Sequence, residues 1–164
     1  MSATGDLARQ IATHFLPDPP RHLGVAVSGG GDSVALLCLL QQFCAAQDIR
    51  LFAVTVDHGL RAEAAAEART VAGLCATLDV PHDILQWTDW NGVGNLQSRA
   101  RDARYRLMSD WARNREISMI ALGHTADDQA ETFLLRLARR AGVDGLSAMA
   151  NRVEHHGMIF CRPL

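Results

Sequence analysis

The hexapeptide Ser28-Gly29-Gly30-Gly31-Asp32-Ser33 carries the most legible chemistry of this chain. Three adjacent glycines leave a turn without Cβ atoms, so backbone N–H groups can approach an anion closely. The apolar run Leu23-Gly24-Val25-Ala26-Val27 before it reads as a buried strand. Val34-Ala35-Leu36-Leu37-Cys38-Leu39-Leu40 after it reads as a helix. Such a junction offers unpaired N–H groups and the positive end of a helix dipole to phosphate. A plainer reading makes it a tight turn with Ser28 or Asp32 as the helix cap. The order strand, Ser-Gly-Gly-x-Asp-Ser, helix favours nucleotide binding instead. The loop lacks the Gly-Lys-Ser/Thr ending of a Walker A loop. No lysine occurs among the 164 residues, and all 16 basic side chains are arginines. Phosphate neutralisation therefore falls to backbone, arginine and a metal ion, and covalent chemistry by a protein lysine is excluded.

Three further clusters carry reactive types. Val56-Asp57-His58-Gly59-Leu60-Arg61 ends a predicted strand. It reads either as the wall of a nucleotide site, with Arg61 near phosphate or substrate, or as a capped loop with a solvated arginine. Gly123-His124-Thr125-Ala126-Asp127-Asp128-Gln129-Ala130-Glu131-Thr132 follows another strand. Thr125 and Asp128 have capping-box spacing, which accounts for one or two acids but not for three beside a histidine. Asp127 with Glu131 and Asp128 with Glu131 share a helical face. Carboxylates facing a phosphate loop need a cation between them, for which magnesium fits, or they hold a cationic substrate. Arg101 and Arg104, at i and i+3 in a long helix, read as a phosphate clamp or as solvated charges paired with Asp102 and Glu116. Arg139-Arg140-Ala141-Gly142 is a weaker candidate of the same kind. His155-His156 lacks a third metal ligand at useful spacing and reads as surface.

The elements that must position these residues alternate. Strands are predicted at 23–27, 51–56, 82–86 and 118–122, with a fifth at 158–161. Helices are predicted at 32–47, 62–78, 96–114 and 126–138. Residues 1–22 form a helical lead-in closed by Pro17-Asp18-Pro19-Pro20, and residues 23–164 form the main domain. This alternation predicts a doubly wound parallel α/β sheet of about five strands with helices on both faces. Ligands of such sheets bind beyond the carboxyl ends of the strands, and every cluster above follows a predicted strand. The composition, 48% hydrophobic and 21% charged, suits one globular domain. No run of about 18 apolar residues predicts a membrane helix, and no signal peptide is evident, so the cytoplasm is expected. Cys38, Cys44, Cys75 and Cys161 form no Cys-x-x-Cys pair and read as unpaired thiols, the first three in the core. A net charge of −2 lacks the basic footprint of a free-standing nucleic-acid binder. The last residues follow a predicted strand directly, so a domain cut from a longer protein is expected.

These motifs resemble the PP-loop ATP pyrophosphatases, whose fold is like that of the adenine nucleotide alpha hydrolases. Within them the chain is similar to the catalytic domain of the tRNA(Ile)-lysidine synthetase family. The matching blocks are Ser28–Ser33, Val56–Arg61, Ala100-Arg101-x-x-Arg104-Tyr105, His124-x-x-Asp127-Asp128-Gln129-Ala130-Glu131-Thr132, Gly145-Leu146-x-x-Met149 and Arg162-Pro163-Leu164. Arg139-Arg140-Ala141-Gly142 departs from the Arg-Gly-Ser-Gly common there. The resemblance implies that ATP adenylates the ring carbonyl of the tRNA(Ile) anticodon cytidine, releasing pyrophosphate. Free L-lysine then attacks through its side-chain amine and displaces AMP. Ser28, Gly29, Gly30, Gly31, Asp32, Ser33, Asp57, His58 and Arg61 would bind ATP. Asp32 and Asp128 would hold Mg2+. Asp128 and Glu131 would grip or deprotonate the lysine ammonium, with His124, Asp127 and Arg101 near lysine or tRNA. Arg104, with Arg101, would stabilise pyrophosphate charge. A homodimer is one assembly open to the chain. The related members carry further carboxyl-side domains for tRNA, so this chain alone is expected to bind ATP but to modify tRNA poorly. Alternatives are tRNA thiolation, an amidotransferase-coupled synthetase and a non-enzymatic adenine-nucleotide sensor. The missing Cys-x-x-Cys counts against the first, and the acidic block against the last.

Overall fold

The computed structural model describes residues 3–123 and 152–164. Helix α1 spans Ala3–Phe15, followed by β1 at His22–Ala26, α2 at Gly31–Gln47, β2 at Arg50–Asp57 and α3 at Ala62–Thr77. Then come β3 at His82–Gln86, α4 at Leu96–Asn114, β4 at Met119–Leu122, β5 at Arg152–His155 and β6 at Met158–Cys161. The strands form one sheet in the order β3-β2-β1-β4-β6-β5. All neighbours are parallel except the β5–β6 pair, which is antiparallel.

The central strands lie between two layers of helix, which is why they read as unbroken apolar runs. Strand β1 sets the register for both sides, with Val25 opposite Ala53 of β2 and Ala121 of β4. On one face Val25, Ala53 and Ala121 pack with Leu36, Leu37 and Leu40 of α2 and with Val71 and Cys75 of α3. Ile11 and Phe15 of α1 join the same cluster, so the N-terminal helix shares the core of the main domain. On the other face Val54, Ile120 and Phe160 pack with Tyr105, Met108 and Trp111 of α4.

The sheet has six strands where about five are expected from the sequence. The additional one is β5, whose Arg-Val-Glu-His run has a single apolar side chain and half-exposed alternation, as suits an edge. It joins β6 through His156 and Gly157, both at positive φ (50° and 74°), the conformation of a tight two-residue hairpin turn. His155 therefore stands on a strand and stacks on Tyr105 at 4.1 Å, which corrects its reading as a surface residue.

Strand order reverses between β1 and β4. From β1 the chain proceeds outward to β2 and β3; beyond β4 it proceeds the other way to β6. The carboxyl ends of β1 and β4 thus flank a crevice.

Candidate active site

At the floor of the crevice the chain turns from β1 into α2. Gly29 takes φ +92°, a conformation that side chains rarely adopt, and Gly31 has no atom within 4 Å of where a Cβ would stand. Gly30 is the N-cap of α2, and no side chain caps that helix. The plainer reading, with Ser28 or Asp32 as the cap, is therefore not met. The hydroxyls shape the loop instead. Ser33 Oγ donates to Gly30 O at 2.9 Å and accepts from Ser28 N at 3.1 Å, with Ser28 Oγ 3.2 Å away. The first N–H groups of α2, which have no partner within the helix, are left facing outward. Asp32 stands exposed in that first turn.

The end of β4 closes against this turn. A Cβ on Gly123 would lie 2.9 Å from Ser33 Cα and 3.0 Å from Ser33 N. Only glycine allows β4 to approach α2 so closely.

The end of β2 supplies a second wall. Asp57 Oδ1 accepts from Gly59 N at 2.8 Å and shapes the turn, so its carboxylate acts on the backbone. His58, Leu60 and Arg61 line the crevice, and the His58 ring meets Trp87 edge-on at 6.0 Å. Arg61 pairs with Glu67 at 3.3 Å, but both side chains are about half exposed or more, and such a pair holds weakly.

Helix α4 supplies the third wall. It starts cleanly because Asn95 accepts from Ser98 N at 3.2 Å. Arg101 and Arg104 both line the crevice, with their guanidinium carbons 5.6 and 5.2 Å from the centre of the Tyr105 ring. Asp102, beside them on the helix, engages His156 at 3.0 Å. Arg104 Nε is buried with no hydrogen-bond partner among the described residues. Asp89 binds Arg106 at 2.8 Å and raises its pKa.

These walls enclose a cavity of about 560 Å³, within the range of about 300–1,000 Å³ usual for small-ligand sites. Its positive groups meet the bare N-terminus of α2, so a polyphosphate is the ligand that fits its electrostatics. The cavity brings Ser28, Ser33, His58, Arg61, Arg101 and Arg104 together. His124, Asp127, Asp128 and Glu131 lie outside the described residues, as do Arg139-Arg140-Ala141-Gly142 and Gly145-Leu146-x-x-Met149. Thr55 lines the cavity without having been singled out from sequence. Its signal is a hydroxyl inside the apolar run 51–56. None of the four cysteines lines the cavity; Cys44, Cys75 and Cys161 are buried in the core.

The PP-loop domain family matches residues 3–164 of the chain. A tRNA(Ile)-lysidine synthase from Ruegeria pomeroyi is 54% identical over 159 residues, covering 97% of this chain and 38% of that protein. Another from Rhodopseudomonas palustris is 49% identical over 142 residues, covering 85% of this chain and 41% of that protein. The chain spans about two fifths of the length of the curated relatives it matches. Among solved structures, the U34-tRNA thiolase NcsA from Methanococcus maripaludis with its 4Fe-4S cluster is similar with a TM-score of 0.75. It is 18% identical, with 98% of this chain and 57% of that chain covered, a likeness of fold alone.

Proposed function

This chain belongs to the PP-loop domain family, and on that premise we propose that it is the ATP-using part of a ligase that forms lysidine on tRNA(Ile). The observation that carries the reading is the uncapped N-terminus of α2 facing Arg101 and Arg104 across one cavity. The similarity to tRNA(Ile)-lysidine synthases supports the choice of substrate.

ATP lies with its phosphates on Ser28–Ser33 and its base toward the end of β2. The anticodon cytidine attacks the α-phosphate through its ring carbonyl oxygen, and pyrophosphate leaves. Arg104 and Arg101 hold the charge that develops on the leaving group; their guanidiniums donate in a fixed fork to phosphate oxygens. The side-chain amine of L-lysine then attacks the activated base carbon, and AMP leaves. Asp128 and Glu131 are assigned to the lysine ammonium or its deprotonation, and Asp127 and His124 to lysine or tRNA.

Magnesium belongs to the same proposal. Asp32 offers an exposed hard oxygen donor in the first turn of α2, the kind of ligand the ion takes alongside phosphate oxygens. Asp128 is its second candidate ligand. When bound, the ion neutralises charge on the phosphates. Thiolation is disfavoured by where the cysteines lie, since none reaches the cavity. No helix among the described residues is long and apolar enough to cross a membrane.

The test is ATP–pyrophosphate exchange with magnesium, with and without a tRNA(Ile) transcript, followed by incorporation of labelled lysine. It is run on the protein at the length of its relatives. Exchange that depends on the tRNA and leads to lysine incorporation is expected. ATP binding with no exchange on this tRNA would move the reading to another PP-loop substrate.

A further inference from the structure

We infer that Thr55, backed by His82, positions the phosphate loop; the inference rests on the reading of that loop as an ATP site. The chain leaves the sheet at the peptide unit joining Val27 to Ser28. Val27 N still donates to Val54 O, at 2.9 Å, as the ladder requires. Both polar ends of the next peptide are then held by side-chain hydroxyls. Its carbonyl, Val27 O, accepts from Thr55 Oγ1 at 2.8 Å. Its N–H, on Ser28, donates to Ser33 Oγ at 3.1 Å. One hydroxyl comes from β2 and the other from α2. Two elements therefore fix the plane of this peptide, and with it the direction in which the three glycines depart.

The protons of the network can be assigned. A carbonyl only accepts, so the one hydroxyl proton of Thr55 points at Val27 O. The 2.8 Å contact between Thr55 Oγ1 and His82 Nε2 must then take its proton from the imidazole. His82 donates from Nε2 whether neutral or charged, so the contact outlasts a change in its protonation. Thr55 is only 6% exposed, and its neighbours Ala53 and Val54 are fully buried apolar residues. Valine would fill the same space, yet a hydroxyl stands where the loop begins.

The test compares Thr55→Val with Thr55→Ser by titration with ATP and magnesium, with thermal unfolding measured alongside. Valine keeps the shape and removes the hydrogen bonds; serine keeps the hydroxyl. Loss of a buried hydrogen-bonded pair is expected to weaken ATP binding by about tenfold in Thr55→Val, with Thr55→Ser within about twofold of wild type. His82→Leu weakens binding by a smaller factor, and His82→Gln, which retains a donor, restores it. A folded Thr55→Val protein that binds ATP like wild type overturns the inference, even if its unfolding midpoint falls. Should that variant not fold, Thr55→Cys, a weak donor of nearly the same shape, replaces it with the same two outcomes. A wild-type chain that does not bind ATP overturns the reading of the loop instead, so the two failures are told apart.

Discussion

Gly123 has no room for a methyl group. The nearest atoms to a Cβ there, at 2.9 and 3.0 Å, are backbone atoms of Ser33, which cannot rotate aside. Gly123→Ala must push β4 away from α2, and overpacking of this kind costs about 1–3 kcal/mol. Chemical denaturation and ATP titration should show lower stability and weaker binding together. Unchanged binding would mean that the spacing of β4 and α2 does not matter to the nucleotide. Gly73 is the opposite case. It is exposed in the middle of α3 with nothing within 4 Å of a Cβ, so Gly73→Ala should stabilise the fold by about 0.5–1 kcal/mol. The thiols divide on the same principle of surroundings. Burial pushes Cys44 and Cys161 up to about 12 and raises Cys75, while Cys38 is partly exposed. Only the thiolate reacts. A thiol reagent at mildly alkaline pH should label Cys38 first and the other three only on unfolding, as peptide mapping can check.

At the scale of elements, the β5–β6 hairpin meets α4 through a ring. His155 stacks on Tyr105, and burial, with Arg101 next, lowers its pKa below the usual histidine value of 6.5. Burial lowers His14 and His82 in the same way. The unfolded chain thus takes up these protons at a higher pH than the folded one. Their contribution to stability is complete above about 6.5 and is lost as the pH falls through that value toward the lower folded pKa values. The denaturation midpoint should therefore be lower at pH 5.5 than at pH 7.5. His155→Phe, which keeps an aromatic face against Tyr105, should flatten part of that fall; an unchanged slope would remove His155 from the account. The elements differ in how far their residues announced them. β1, β2 and β6 are buried and apolar, and α4 begins at Asn95, a good cap, so all were legible within a residue or two. β5 was not, because an edge strand with one apolar residue has no periodic signal, and its mark is the His-Gly turn. The glycine turn between β1 and α2 and the helix that carries Arg101 and Arg104 were legible as elements from residue types alone. Thr55 was not, nor was the approach of Gly123 to Ser33, because each acts by touching a segment far away in the chain. The acidic block 124–132 lies outside the described residues, so the fold neither places nor displaces it.

At the scale of the whole molecule, the site lies where two separate cores meet. α2 belongs to the core on one face of the sheet, and α4 to the core on the other. A polyphosphate held between the α2 N-terminus and Arg104 spans both, so binding should resist unfolding of the molecule as a unit. Linkage gives the size: ATP at a hundredfold excess over its dissociation constant adds about 2.7 kcal/mol to the folded state. Net charge does not supply this attraction, since the chain carries −2 overall; the arginines supply it locally. Arg104 is the sharpest probe, because its buried Nε has no hydrogen-bond partner among the described residues and its guanidinium lies 5.2 Å from the centre of the Tyr105 ring. A cation–π contact of this kind contributes about 0.5–1 kcal/mol, offset by relief of the unsatisfied buried N–H. Arg104→Ala should therefore leave the unfolding midpoint of the nucleotide-free protein nearly unchanged while removing most of the shift that ATP and magnesium produce. Differential scanning fluorimetry over a range of ATP concentrations separates the two effects. A midpoint that drops sharply without nucleotide, with the ATP shift intact, would make Arg104 a packing residue and leave the phosphates to the loop alone.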